Sequence, residues 1–157
     1  MGFEDTVRAH AADLYRYAYW LTRDRAQAED VVQEALLRGW RAFPRLRERA
    51  AAKAWLFSIV RNEFLRAAGA PALESLDGVE LADERSDPSG MEMRDALLAL
   101  PASYAEPLAL QVLGGFSCAE IARMIGTTEG ATMTRLTRAR QALKRLIAPA
   151  GRSAGRP

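Results

Sequence analysis

From Val7 to Leu146 the apolar residues of this chain recur at steps of three and four, and no stretch alternates well enough to be a strand. That period admits helices and little else. Val7, Ala11, Leu14, Ala18 and Leu21 mark one face of a first helix that should end near Thr22. Asp24 can cap a second, whose apolar positions Ala28, Val32, Ala35 and Leu36 run on to Trp40 and Phe43 before Pro44 stops it. A third carries Trp55, Leu56, Ile59, Val60 and Phe64. Further on, Met91 to Leu100 reads as a helix closed by Pro101, and Tyr104 to Leu113 as another closed by Gly114-Gly115. The fold class is therefore all-α.

The period fails in one place. Residues 69–90 hold Gly69, Pro71, Gly78, Pro88, Ser89 and Gly90 and read as a flexible linker between two small helical domains, 1–68 and 91–148, with 149–157 a disordered tail. Charge follows the same division. The whole chain carries only +2, yet from Glu74 to Asp95 there are eight acids against Arg85 and Arg94. From Gly130 to Pro157 there are seven cations and no acid, an end that attracts polyanions. The 49% hydrophobic and 27% charged content is that of a soluble globular chain of 157 residues. Cys118 is the only cysteine and His10 the only histidine, so no internal disulfide, metal site or cofactor is expected, and no P-loop or catalytic cluster points to an enzyme. The start Met-Gly-Phe-Glu-Asp-Thr does not read as a signal peptide, and charges interrupt every window long enough to span a bilayer. A cytoplasmic location without membrane insertion is expected.

The cationic end is also a helix with two faces. Thr132, Leu136, Ala139, Leu143 and Leu146 lie on one side and Arg135, Arg138 and Arg145 on the other. Upstream, Ser117 can cap a helix containing Ile121, Ala122 and Ile125, and Gly126 permits the sharp turn of a helix-turn-helix. Ala122 is small where two helices would cross, and Thr132 takes a position usually held by an apolar branched residue. Such a unit puts the start of its second helix in the major groove, where Glu129, Ala131, Met133, Thr134 and Arg135 can meet base edges. Arg138 and Arg140 suit phosphates, and Ser117 joins the same surface.

In the first half, Ala28-Glu-Asp-Val-Val-Gln-Glu-Ala-Leu-Leu-Arg-Gly-Trp40 and Ala54-Trp-Leu-Phe-Ser-Ile-Val-Arg-Asn62 resemble bacterial sigma factors. With Leu100-Pro, Ala119-Glu-Ile-Ala122 and Arg135-Leu-Thr-Arg-Ala-Arg140 they resemble the extracytoplasmic-function group, which keeps only the second and fourth sigma domains. The resemblance covers most of residues 5–66 and 93–147.

It implies a transcription initiation factor, with core RNA polymerase, promoter DNA and an anti-sigma factor as partners and no covalent chemistry of its own. The family docks the helix matching Glu29 to Arg41 on the polymerase, which assigns Asp30, Gln33, Glu34, Leu37 and Arg41 to that contact. It melts the −10 element with the next connection and helix, which assigns Arg45, Arg47, Lys53, Arg61 and Asn62 to unstacked DNA, with Arg49 beside them and Trp55 in the core. It reads the −35 element through the helix matching Gly130 to Arg140. This chain departs from the family at Arg66, where aspartate is common, and at Ala67-Ala-Gly-Ala-Pro71, where arginines are. It departs again at Met133, where lysine is frequent, and at Ala131-Thr132, where threonine-valine is common. The rival reading is a two-domain helix-turn-helix regulator that binds DNA without polymerase. A protein-only adaptor would leave the cationic end unexplained.

Overall fold

A computed structural model describes residues 2–68, 95–96 and 99–147. Among them there are six α-helices and no strand. The linker expected over 69–90, the tail over 149–157 and most of the helix expected over 91–100 lie outside the described residues.

Helix α1 spans Phe3–Thr22. Its C-cap, Arg23, takes the left-handed conformation at φ 59° and donates its backbone N–H to the Tyr19 carbonyl, so the chain turns sharply where Thr22 was expected to end the helix. Asp24 then accepts from the Gln27 N–H at 2.9 Å and starts α2, Arg25–Ala42. Pro44 sits in the short 3-10 turn Phe43–Arg45 that follows, a second such turn runs Arg49–Ala51, and α3 spans Ala52–Ala68.

These three helices enclose Leu14, Tyr17, Ala18, Val32, Ala35, Leu56, Phe57 and Val60, all with no measurable exposure. Gly39 lies where α2 packs closely on its neighbours. A Cβ there would lie 3.3 Å from the Phe3 ring and 3.4 Å from Leu56 Cδ2. Two features of this module differ from the sequence reading. Tyr17 and Phe57, which the periodic pattern did not single out, are the largest fully buried side chains. Trp40, placed on the apolar run of α2, is 64% exposed, because it lies a turn past Leu36 at the margin of the buried stripe.

The second module contains α4, Ala102–Gly114, α5, Cys118–Ile125, and α6, Glu129–Ile147. The stripe expected on α6 is buried throughout: Thr132, Leu136, Ala139, Leu143 and Leu146, joined by Ala142. Helix α4 closes on Gly115 at φ 73°, as the Gly-Gly pair predicts.

The two modules pack together. Helix α1 lies against α4 as well as α2 and α3, α3 touches α5, and the buried apolar residues form one continuous cluster. Phe57 of α3 meets Phe116 edge to face at 5.0 Å across the seam.

Candidate functional site

The first candidate surface is the outer face of α2. Burying Ala28, Val31, Val32, Ala35 and Gly39 against α1 and α3 turns Asp30, Gln33, Glu34, Leu37 and Arg41 to solvent together. Leu37 is 50% exposed rather than tucked beneath a neighbour. Trp40 joins it one turn on, and with Phe3, Glu4, Gln33 and Leu36 they line a shallow groove. The result is an apolar strip ringed by polar groups, the composition of a protein-docking patch. Sequence reasoning missed Trp40, although the spacing Gln33, Leu37, Trp40 carries the signal. The helix is fixed in this pose by Glu63 of α3. That buried carboxylate pairs with Arg38 Nε at 2.8 Å and accepts from Arg66 Nη1 at 2.5 Å, so two guanidinium groups offset the cost of its burial.

The second surface, the connection before α3 and α3 itself, divides the residues assigned to unstacked DNA. Arg45, Arg47 and Asn62 are exposed. Arg49 stacks its guanidinium over Phe43 at 4.1 Å. Trp55 is half-buried and packs on the same ring at 6.2 Å, which agrees with a core role.

The other two cations point into the seam. Lys53 lies 3.7 Å from Asp13 and 5.6 Å from the centre of the Phe116 ring. Arg61 grips Glu106 of α4 with Nε at 2.6 Å and Nη2 at 3.4 Å, while the Tyr17 hydroxyl donates to the same carboxylate at 2.9 Å. Burial, followed by the Glu106 charge, pushes the Tyr17 phenol well above its ordinary range. Burial works against the Arg61 charge, but the Coulombic attraction and hydrogen bond of Glu106 outweigh it and hold that guanidinium more firmly protonated than usual.

The third surface is the helix-turn-helix, and here short-range hydrogen bonds set the geometry. Ser117 Oγ accepts from Glu120 N at 3.1 Å and Glu120 Oε1 accepts from Ser117 N at 2.8 Å, a reciprocal cap that starts α5. Gly126 at φ 76° ends it, its N–H and that of Thr127 both donating to the Ala122 carbonyl. Thr128 Oγ1 accepts from Ala131 N at 3.0 Å to start α6.

Thr132 lies where the helix-turn-helix pattern favours an apolar branched residue, and the structure accounts for it. Its hydroxyl is fully buried and donates to the Thr128 carbonyl at 2.9 Å, so the polar group is satisfied inside its own helix. Around the start of α6, Glu129, Met133 and Thr134 are exposed, and Ala131 and Arg135 are half-buried. Met133, at 59%, is a large apolar side chain standing in solvent on this face. Arg138 is exposed further along, while Arg140 hydrogen-bonds Gln111 of α4 and braces the helix.

Among the described residues no group of three His, Cys, Asp or Glu is placed to hold a metal ion, and no helix is long and apolar enough to cross a membrane.

Comparison with known proteins matches each of the two modules to a family description. The family description Sigma-70 region 2 matches residues 6–69, and Sigma-70, region 4 matches residues 90–143. The ECF RNA polymerase sigma factor SigL of Mycobacterium tuberculosis is 38% identical over 151 residues, covering 86% of this chain and 82% of that protein. SigM, an ECF RNA polymerase sigma factor of the same species, is 32% identical over 150 residues, covering 92% and 76%. Among solved structures, the sigma factor RpoE of Bartonella quintana, in complex with the anti-sigma factor NepR, superposes with a TM-score of 0.71 at 29% identity. It covers 92% of this chain and 95% of its own. CnrH, in complex with the cytosolic domain of CnrY, shares the fold with a TM-score of 0.64 at 23% identity, covering 98% and 89%.

Proposed function

The chain belongs to the extracytoplasmic-function sigma factors, and on that premise we propose how its surfaces divide the work of starting transcription at selected promoters. It is a non-enzymatic initiation factor that binds core RNA polymerase, directs it to −35 and −10 elements and acts in the cytoplasm. Residues 1–68 form the polymerase-binding and −10 domain, 91–148 the −35 domain, and 69–90 the linker between them.

Asp30, Gln33, Glu34, Leu37 and Arg41 make the polymerase contact, and Trp40 extends it. The observation that carries this reading is the exposed Leu37–Trp40 strip on a helix whose core face is already satisfied, in the same chain as a capped helix-turn-helix. A regulator acting on DNA alone needs the second feature and has no use for the first. Burying two large apolar side chains at the centre of a polar rim is what a tight protein contact requires.

On the DNA side, Arg45, Arg47 and Asn62 hold the exposed strand of the −10 element, and Lys53 and Arg61 join them once the seam between the modules is released. The start of α6, from Glu129 to Arg135, reads the −35 element, with Ser117, Arg138 and Arg140 toward phosphates. An anti-sigma factor is the natural regulator. RpoE of Bartonella quintana, solved in complex with the anti-sigma factor NepR, supports that reading.

The test is a fluorescence-anisotropy titration of labelled promoter duplex with the chain alone and with the chain plus core polymerase. Tight, sequence-specific binding is expected only with polymerase. Nanomolar specific binding by the chain alone would establish instead a regulator that needs no polymerase.

A further inference from the structure

The first turn and a half of α6 is short of cations. From Glu129 to Thr134 there is no lysine or arginine, so that stretch has no guanidinium fork to offer a guanine. Met133 is its largest apolar side chain, and it is 59% exposed. Glu129, Gly130, Met133, Thr134 and Thr137 form one solvent-facing side of the helix, while Thr132, Leu136, Ala139 and Leu143 are buried on another. Met133 therefore stands on the side that a groove would meet.

The backbone beneath it is firmly held. Thr128 Oγ1 accepts from Ala131 N at 3.0 Å, and the Thr132 hydroxyl donates to the Thr128 carbonyl at 2.9 Å. Cys118 Sγ also donates to the Glu129 carbonyl at 3.6 Å, tying the start of α5 to the start of α6. Met133 is thus presented on a fixed turn rather than left on a loose one.

Its surroundings decide what kind of partner fits. Leu37 and Trp40 stand together on α2 and make a contiguous apolar strip, whereas Met133 is a single apolar side chain among Glu129, Thr134 and Thr137. A protein contact needs a patch, and one side chain is not a patch. In the major groove the base edges are donors and acceptors, with one apolar exception, the 5-methyl group of thymine. A thioether has no donor and is a weak acceptor, so it gains little from the polar edges. Its flexible, polarizable chain settles readily against a methyl group.

We propose that Met133 is a specificity-determining residue, reading one A·T pair of the −35 element through the 5-methyl group of its thymine. The proposal rests on −35 reading by α6 and adds which chemical group is read. Burial of one methyl group corresponds to about a fourfold gain in affinity, so replacing that thymine with uracil, which lacks only the methyl, should cost about the same factor.

The test uses the full chain reconstituted with core polymerase and a promoter duplex that this holoenzyme selects from a library randomised across the −35 element. Uracil replaces thymine one position at a time on both strands, and a duplex with the whole element scrambled is the control. For the wild-type chain, one of these replacements should weaken binding about fourfold. Met133→Ala should bind the parent duplex more weakly and be indifferent to that replacement. Met133→Leu, which keeps the apolar bulk, should retain the dependence, and both variants should keep wild-type helix content by circular dichroism. The proposal is overturned if no uracil replacement affects the wild-type holoenzyme, if wild type and Met133→Ala lose equally at every position, or if the selected element contains no A·T pair. Weaker binding to the scrambled duplex without any response to uracil would overturn the methyl contact alone. Unchanged binding to the scrambled duplex would overturn −35 reading by α6 together with it.

Discussion

The two modules solve the problem of presenting a surface in opposite ways. In the second, the reading face is set by hydrogen bonds between near neighbours in sequence: the Ser117–Glu120 cap, the Gly126 turn and the Thr128 cap. In the first, the working faces are whatever the packing of three helices leaves over. Its core is built on Tyr17, Phe57 and the Phe3–Phe43–Trp55 cluster, and its surface is divided among an exposed apolar strip on α2, the exposed cations before α3 and the seam with the other module. A locally set face is stable in position but carries little buried apolar area. A face left over from packing can carry large exposed apolar groups such as Leu37 and Trp40, since the helix beneath them is held by Val32, Ala35 and the Glu63 ion pairs. Substitutions in the first module should therefore alter binding without altering the fold, and those at the turn of the second should alter both.

The largest effect is expected at Leu37. Leu37→Asp should weaken core polymerase binding by about 3 kcal/mol, the scale of an interface hot spot, while the circular dichroism spectrum and melting temperature stay near wild type. A pull-down with purified core polymerase measures it. Loss of binding together with loss of helix would mean that this face is part of the core after all, and the contrast between the modules would break.

Next comes the reading face. Arg135→Ala should cost about 1–3 kcal/mol at one base position of the −35 element, as expected for a lost bidentate contact to guanine. Arg138→Ala should instead weaken all promoters alike and reduce the salt slope of binding by about one unit. Transcription from promoters mutated singly across the −35 element, at two salt concentrations, separates reading from holding. An unchanged promoter preference in Arg135→Ala would remove sequence reading from this helix.

The smallest effect tests the local geometry itself. Ser117→Ala removes the side-chain half of the cap and should lower stability by about 1 kcal/mol. Because Ser117 starts the helix that positions α6, −35-dependent transcription should fall with it, whereas transcription from a promoter that relies on a strong −10 element should change little. Equal loss on both promoters would show that the cap supports the chain as a whole rather than the reading face.

Much of this was legible beforehand wherever the cause is local. The ends of α1 and α2, the caps at Asp24 and Ser117, the left-handed turn at Gly126 and the buried stripe Thr132 to Leu146 each follow from residue types at fixed short spacings. The exposure of Leu37 followed from the same helical period. Trp40 did not, because a tryptophan at the margin of an apolar stripe can roll in or out, and the neighbours that decide this belong to another helix.

By itself, then, the sequence determined an all-α chain of two modules with a capped helix-turn-helix and an α2 face that leaves Leu37 in solvent, for these depend on periodicity and on groups within one or two turns of each other. Only the tertiary structure decided what lies between the modules. Nothing in the spacing of Tyr17, Arg61 and Glu106, which are 89 and 45 residues apart in their two pairings, indicates that they share one carboxylate. A lone arginine on a helix reads as a free cation until its partner is known. Whether Arg61 faces DNA or an acid depends on how two hydrophobic surfaces meet, and that is a property of the assembled core rather than of any segment of the chain.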